Sequence, residues 1–221
     1  MEDFVGYPPM SQLCNTVLSI IRICETVKII NKKFKNCINL YESIMSGQAI
    51  TGIGIYTNQA NLPVSPVHEY KMEMESIIFF MRRILDSLVQ LTDLLVNFEN
   101  FKENGKIVAD SIGSVFSLPN TNIVKKIILG DETYPKDTTN FLEISNNLFN
   151  GLKHTLINDD IYIKMQDRPA FTGLTVKNSD HKNKIIKYHL HDAIHFMMGF
   201  QDNVKRVLDN QKLYVNIRDS N

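Results

Sequence analysis

Apolar residues recur at spacings of three and four along four long stretches of the chain, and this period of 3.6 predicts helices. The clearest stretch, SPVHEYKMEMESIIFFMRRILDSLVQLTDLLVNFENF, runs from Ser65 to Phe101. Ser65 suits an N-cap, and Pro66 suits the first helical position, where its missing N–H costs nothing. Tyr70, Met74, Ile77, Ile78, Met81, Leu85, Leu88, Leu91, Leu95 and Phe98 form one stripe, with Glu75, Phe79, Arg82, Arg83 and Asp86 on the other side. A second helix is predicted over about 11–46, with Leu13, Val17, Ile20, Cys24, Val27, Phe34, Ile38, Tyr41 and Met45 as its stripe and Gly47 as a left-handed cap. A third begins at Asp137 and carries Phe141, Ile144, Leu148, Leu152 and Leu156 on one side. The last is predicted from Asp180 to about Gln211, its stripe being Ile186, Leu190, Ala193, Met197, Phe200, Val204 and Leu208.

The segments between them are shorter and more broken. Gly, Asn and Pro in 47–65 read as a long loop with a short extended piece at Ile53 to Tyr56. KIVADSIGSVFSLP and TNIVKKIILGD predict two short helices, ended by Pro119 and Gly130. Alternation of Ile161, Ile163 and Met165, an Asp-Arg-Pro turn and the Thr172/Leu174/Val176 run predict a small β-hairpin near 161–176. The expected fold is therefore all-α: a bundle of four long helices plus short ones, in a single domain over 1–221, with the 47–65 loop joining two antiparallel neighbours.

Composition narrows what such a bundle does. With 221 residues, 43% of them hydrophobic, the chain can build one sizeable core. Lys plus Arg and Asp plus Glu number 24 each, so no global basic field gathers nucleic acid or anionic lipid. The N-terminal MEDFVGYPPMSQ lacks the basic and apolar regions of a secretory signal, and no stretch has the apolar length of a membrane span. A soluble, cytoplasmic protein without a membrane partner is expected. Cys14, Cys24 and Cys37 fall on one predicted helix, neighbours roughly 15–20 Å apart at about 1.5 Å per residue. That distance rules out a disulfide or a shared metal among them. Cys14 and Cys24 fall near the apolar stripe and Cys37 off it.

Three clusters could carry chemistry. His191 and His195, one turn apart on the predicted last helix, have the spacing of zinc-binding helices, with His154, His181 or Asp202 as a third ligand. The alternative is a solvated or partner-facing polar stripe. His191-Asp192 also matches the dipeptide of HD-type metal phosphohydrolases, which would need His154 with Asp202 or Asp209. The second cluster is the charged back of the Ser65–Phe101 helix, with Arg82 and Arg83 spaced to pair with Asp86. Left open to water it is an ordinary salt-bridged face; covered, it becomes a polar network that sets registry, and Phe79 in its midst favours cover. The third is the Asn146, Asn147, Asn150, His154 row, in which Asn147, Asn150 and His154 share a face that could bind a phosphate or a base edge or be a plain polar surface. Gly151 within it suggests a close approach. Lys125, Lys126, Arg168, Lys182, Lys184 and Lys187 could form a basic rim, without the interleaved aromatics of single-strand binders. No phosphate-binding Gly-rich loop, nucleophile elbow or CxxC pair is present, and no cofactor is expected.

At MEMESIIFFMRRILDSL, with NGLKHT downstream and a long final helix, the chain resembles HEPN-like domains over roughly 65–210. The resemblance implies an all-α bundle, homodimerisation through the long helices, a link to RNA or nucleotide transactions with an RNA or protein partner, and a toxin–antitoxin or phage-defence setting. Active members cleave RNA without metal through an Arg-x4-6-His motif. Here Arg22, Arg82, Arg83, Arg168, Arg206 and Arg218 all lack that histidine. The equivalent-looking place holds Asn147 or Asn150 leading to Lys153-His154, and Asn lacks the permanent charge that would steady a phosphorane. The resemblance thus implies a non-catalytic binding or accessory protein. The rival reading is a hydrolase: a metal-free ribonuclease using His154 with Asn150 and Lys153, or a metal enzyme using His191 and His195.

Overall fold

In the computed structural model, the described residues are 9–47, 66–154, 167–176 and 186–220. They form helices α1 (Pro9–Met45), α2 (Pro66–Val96), α3 (Phe98–Asn104), α4 (Ile112–Ser117), α5 (Ile123–Leu129) and α6 (Phe141–His154). Strands β1 (Ala170–Val176) and β2 (Ile186–Asp192) and the last helix α7 (Ala193–Asp219) follow. The all-α class holds, with one small antiparallel sheet. The extended piece at Ile53 to Tyr56, the Ile161/Ile163/Met165 alternation, His181, Lys182, Lys184 and the side chains of Leu13, Cys14, Val17, His154 and Lys187 lie outside the described residues.

Helix α2 is the axis of the core. Ile77 and Ile78, Met81 and Arg82, Ile84 and Leu85, Leu88 and Val89, and Thr92 and Asp93 are all buried. Adjacent residues buried on every turn mean that α2 is wrapped on about half its circumference. Antiparallel α1 covers one side: Tyr41 meets Tyr70 at 6.1 Å between ring centroids, and Lys33 Nζ lies 2.6 Å from Glu73 Oε2. The α1 stripe is rotated from the expected one. Ile30, Cys37 and Ile44 are buried at heptad spacing, with Tyr41 beside them, whereas Ile20, Cys24 and Met45 are exposed. Cys37, not Cys24, is therefore the packing residue, because α2 covers the Ile30–Cys37–Ile44 seam.

The predicted long helix bends into a second piece at Asn97. Buried Asp93 holds the returning chain there, accepting hydrogen bonds from Asn97 Nδ2 (2.8 Å) and the Val108 N–H (2.9 Å). Gly105, at φ 64°, closes α3 as a left-handed cap. Short α4 and α5 are set by their caps: Ser111 and Ser114 form a capping box, and Asn122 Oδ1 accepts from the Val124 and Lys125 N–H groups. After α5 the chain turns at Gly130, where φ is 87° and a Cβ would come within 2.4 Å of the Pro135 oxygen. Arg206 of α7 stitches this turn, donating to the carbonyls of Ile128 (2.8 Å) and Pro135 (3.1 Å). Its guanidinium pKa is lowered by burial. Helix α6 starts at Phe141 rather than at Asp137 as expected, and Asp137 Oδ2 accepts from the Leu142 N–H at 2.9 Å.

The sheet departs from the expected elements. Residues 186–192 are a strand, and the last helix starts at Ala193 rather than Asp180. β2 pairs antiparallel with β1, from Ala170 opposite Asp192 to Val176 opposite Ile186, so 170–176 is extended as expected and is paired by a segment expected to be helical. In IKYHLHD a period of two competes with the helical one, and once β1 offers an edge the pleat wins. It also inverts the expected burial: His189 is 4% exposed, while Tyr188 and Leu190 are 63% and 48% exposed. Asp192 then N-caps α7 by accepting from the His195 N–H at 2.9 Å. Phe196 anchors the sheet between Phe171 (5.1 Å) and Phe141 (4.9 Å), and the Tyr70 hydroxyl clamps both the N–H and carbonyl of Ala170.

Candidate binding cleft

The charged back of α2 becomes the floor of a cleft of about 720 Å3. Phe79, Arg83, Asp86, Gln90 and Leu94 follow one another at three- and four-residue steps along it, with Phe80, Arg82, Ser87 and Leu91 beside them. Arg22 of α1 forms one wall, Ile107 after α3 closes one end, and Phe149 of α6 forms the other wall.

Arg82 is the anchor of this floor. It is 7% exposed, and its Nε lies 2.9 Å from Asp86 Oδ1 and 3.0 Å from Oδ2. Its Nη1 donates to Asn146 Oδ1, and its Cζ sits 5.1 Å from the centroid of Phe149. Asp86 Oδ1 also accepts from the Ile112 N–H at 2.8 Å. One guanidinium and one carboxylate thus tie α2, the first turn of α4, and α6 together. Gly113 leaves room for this: a Cβ there would stand 3.4 Å from Arg82 Nη2 and 3.5 Å from Asn146 Oδ1. Phe79, 42% exposed, meets Phe149 edge to face at 5.0 Å, so the ring is half covered by α6 and half presented to the cleft.

The two outer arginines differ from Arg82. Arg22 and Arg83 are exposed, and among the described residues neither has a carboxylate partner. Among the described lining residues Asp86 is the one carboxylate, and it is engaged by Arg82 and the Ile112 N–H. Among the described residues the cleft's walls therefore present two exposed guanidinium groups beside phenyl and aliphatic surface.

Comparison with protein-family models, curated proteins and solved structures found no match.

Phe79, Arg82, Arg83 and Asp86 are the members of the sequence-predicted group that line this cleft, while Glu75 lies a turn outside it. Asn146, rather than Asn147 or Asn150, reaches Arg82. Asn147 and Asn150 are half-buried on α6, and Lys153 is exposed. Arg22, Phe149, Gln90 and Ile107 were not legible as site residues, because each comes from another element or from a turn of α2 that carries no charge. Lys125 and Lys126 do not join a rim with Arg168: Lys125 Nζ donates to the Leu118 carbonyl at 2.7 Å, and Lys126 pairs with Asp131 at 3.4 Å.

His191 and His195 do not share a helix face. His191 ends β2 and His195 sits in the first turn of α7, yet both line a second, shallower cavity of about 340 Å3 with Phe141, Asp192 and Phe196. Asp192 is occupied as the N-cap and lies 3.3 Å from His195 Nδ1, while His191 Nε2 lies 3.4 Å from His189 Nδ1. Among the described residues no three His, Cys, Asp or Glu side chains are grouped to hold a metal ion. Of the three candidate third ligands, Asp202 is exposed on α7, and His181 and the His154 side chain lie outside the described residues. Among the described residues no helix is long and apolar enough to cross a membrane.

Proposed function

We propose that this protein is a non-catalytic binding or accessory module of HEPN-like type, acting as a homodimer in an RNA-linked setting such as toxin–antitoxin or phage defence. The stretch that carries the resemblance, MEMESIIFFMRRILDSL, lies on α2 and supplies most of the cleft floor. The observation that carries the reading is the division of labour among its charges. Asp86, the acid available as a general base there, is consumed by Arg82 and a backbone N–H, while Arg22 and Arg83 retain their charge for a ligand. Fixed cations beside apolar walls suit binding, whereas acid–base catalysis needs a group free to take a proton.

An RNA cleavage assay tests it. Wild type and His154→Ala should show equal, background-level activity. Cleavage by wild type that His154→Ala abolishes would replace the binding module with a metal-free ribonuclease. Light scattering after size exclusion should give a dimer mass, and a monomer at every concentration counts against the assembly.

A further inference from the structure

We propose that His189 and His191 chelate a divalent transition-metal ion of the kind imidazole favours, such as zinc, with solvent or a bound molecule completing its shell in the cavity beside β2.

The two histidines stand two residues apart on β2, which places both on one face of the sheet. His189 Nδ1 and His191 Nε2 lie 3.4 Å apart. That is long for a hydrogen bond from nitrogen, usually about 2.7–3.2 Å. It matches a shared metal: two ligands on a tetrahedral zinc, each about 2.0–2.1 Å from it, stand about 3.3–3.4 Å from one another. The ring centroids are 5.6 Å apart, so these nitrogens are the facing corners of the pair. A small rotation of each ring aims both lone pairs at one point beside the line between them.

The surroundings hold the pair in place. His189 is 4% exposed and sits opposite Gly173, while His191 sits opposite Phe171 with its ring 5.5 Å from that of Phe196. The Tyr70 hydroxyl clamps Ala170, and the Ala193 N–H donates to the Pro169 carbonyl at 2.9 Å, so the end of the sheet nearest His191 is fixed on both strands. His191 also lines the cavity of about 340 Å3, which gives room for water on the metal, and Asp192 and His195 share that wall as outer groups able to bond such water. The described residues supply two ligands, so the site is an open one. It shares no lining residue with the α2 cleft and does not depend on the reading of that cleft.

Calorimetric titration of the untagged full chain with zinc chloride tests this, with magnesium chloride as the comparator. Zinc should bind and magnesium should not, since imidazole nitrogen selects the softer ion. His191→Ala and His189→Ala should each weaken zinc at least about tenfold, and His68→Ala, exposed near the start of α2, should leave it unchanged. Zinc should raise the melting temperature of wild type and not that of His191→Ala. Because His189 is buried and its variant can lose the fold, nitrogen NMR of the imidazole rings in wild type gives a reading that needs no substitution: zinc should shift His189 Nδ1 and His191 Nε2. Zinc binding that survives both substitutions, shifts confined to other imidazoles, or magnesium binding as tightly as zinc overturns the proposal, and so does a chain that takes up no zinc.

Discussion

Replacing Arg82 with alanine should destabilise the fold far more than replacing its neighbour Arg83. Arg82 is almost fully buried and bonded to Asp86 and Asn146, with its guanidinium over Phe149. Charge-assisted hydrogen bonds contribute about 1.5–3 kcal/mol each, and a cation over a ring adds about 0.5–1 kcal/mol. Against that stands the cost of drying a guanidinium, which the truncation refunds. Asp86 would keep the Ile112 N–H and its side chain is 26% exposed, so water partly replaces the lost cation. The net loss should therefore be about 2–3 kcal/mol, below the roughly 3–5 kcal/mol typical of breaking a fully buried pair. For a chain of this size that lowers the melting temperature by about 5–10 °C. Urea unfolding of wild type, Arg82→Ala, Asn146→Ala and the double variant would measure it, with a coupling of about 1 kcal/mol between the two sites. An Arg82→Ala loss below about 0.5 kcal/mol, the usual range for surface changes, would refute the network.

Other outcomes follow from single contacts. Arg206→Ala should cost about 1–2 kcal/mol by freeing the Ile128 carbonyl, since Asn210 Nδ2 still donates to the Pro135 carbonyl at 3.1 Å, with Arg206→Lys recovering part of it, as read by urea midpoints. Gly130→Ala should cost upwards of about 2 kcal/mol, since it combines a positive φ with a clash against the 135–136 backbone; a melting temperature unchanged from wild type would show that the turn relaxes freely. Burial, with Glu73 nearby, pushes the Cys37 thiol up to about 12. In a Cys14→Ser/Cys24→Ser background, a thiol reagent at mildly alkaline pH should therefore react only after denaturant is added. Because the folded state holds this proton more tightly than the unfolded state, the stabilisation is complete below the ordinary thiol value of 9.0 and lost as pH rises toward about 12. Cys37→Ala should flatten that part of an alkaline unfolding profile.

Much of the helical architecture was legible because its signals are local. Stripes of period 3.6 mark α2 and α6, and Asp137, Gly105 and Gly130 act within a few residues of themselves. The polar back of α2 was legible as a group for the same reason: helix geometry alone brings Phe79, Arg82, Arg83 and Asp86 to one side. What that side faces was not legible. Arg82 is buried because α6 lies over it, and the partner that decides this, Asn146, is 64 residues away.

Period, capping and composition thus determined the all-α class, the course of the long central helix and the group of residues on its polar side. Tertiary structure decided which side of each element is inside. It made Cys37 rather than Cys24 a core residue, because the α2 surface meets the Ile30–Cys37–Ile44 seam. It made 186–192 a strand, because an edge at 170–176 satisfies the backbone there. It turned His191 and His195 from neighbours on one helix into residues on either side of a strand–helix junction. Spacing along a chain fixes angles within one helix, whereas burial and pairing depend on distant segments that compete for the same surface.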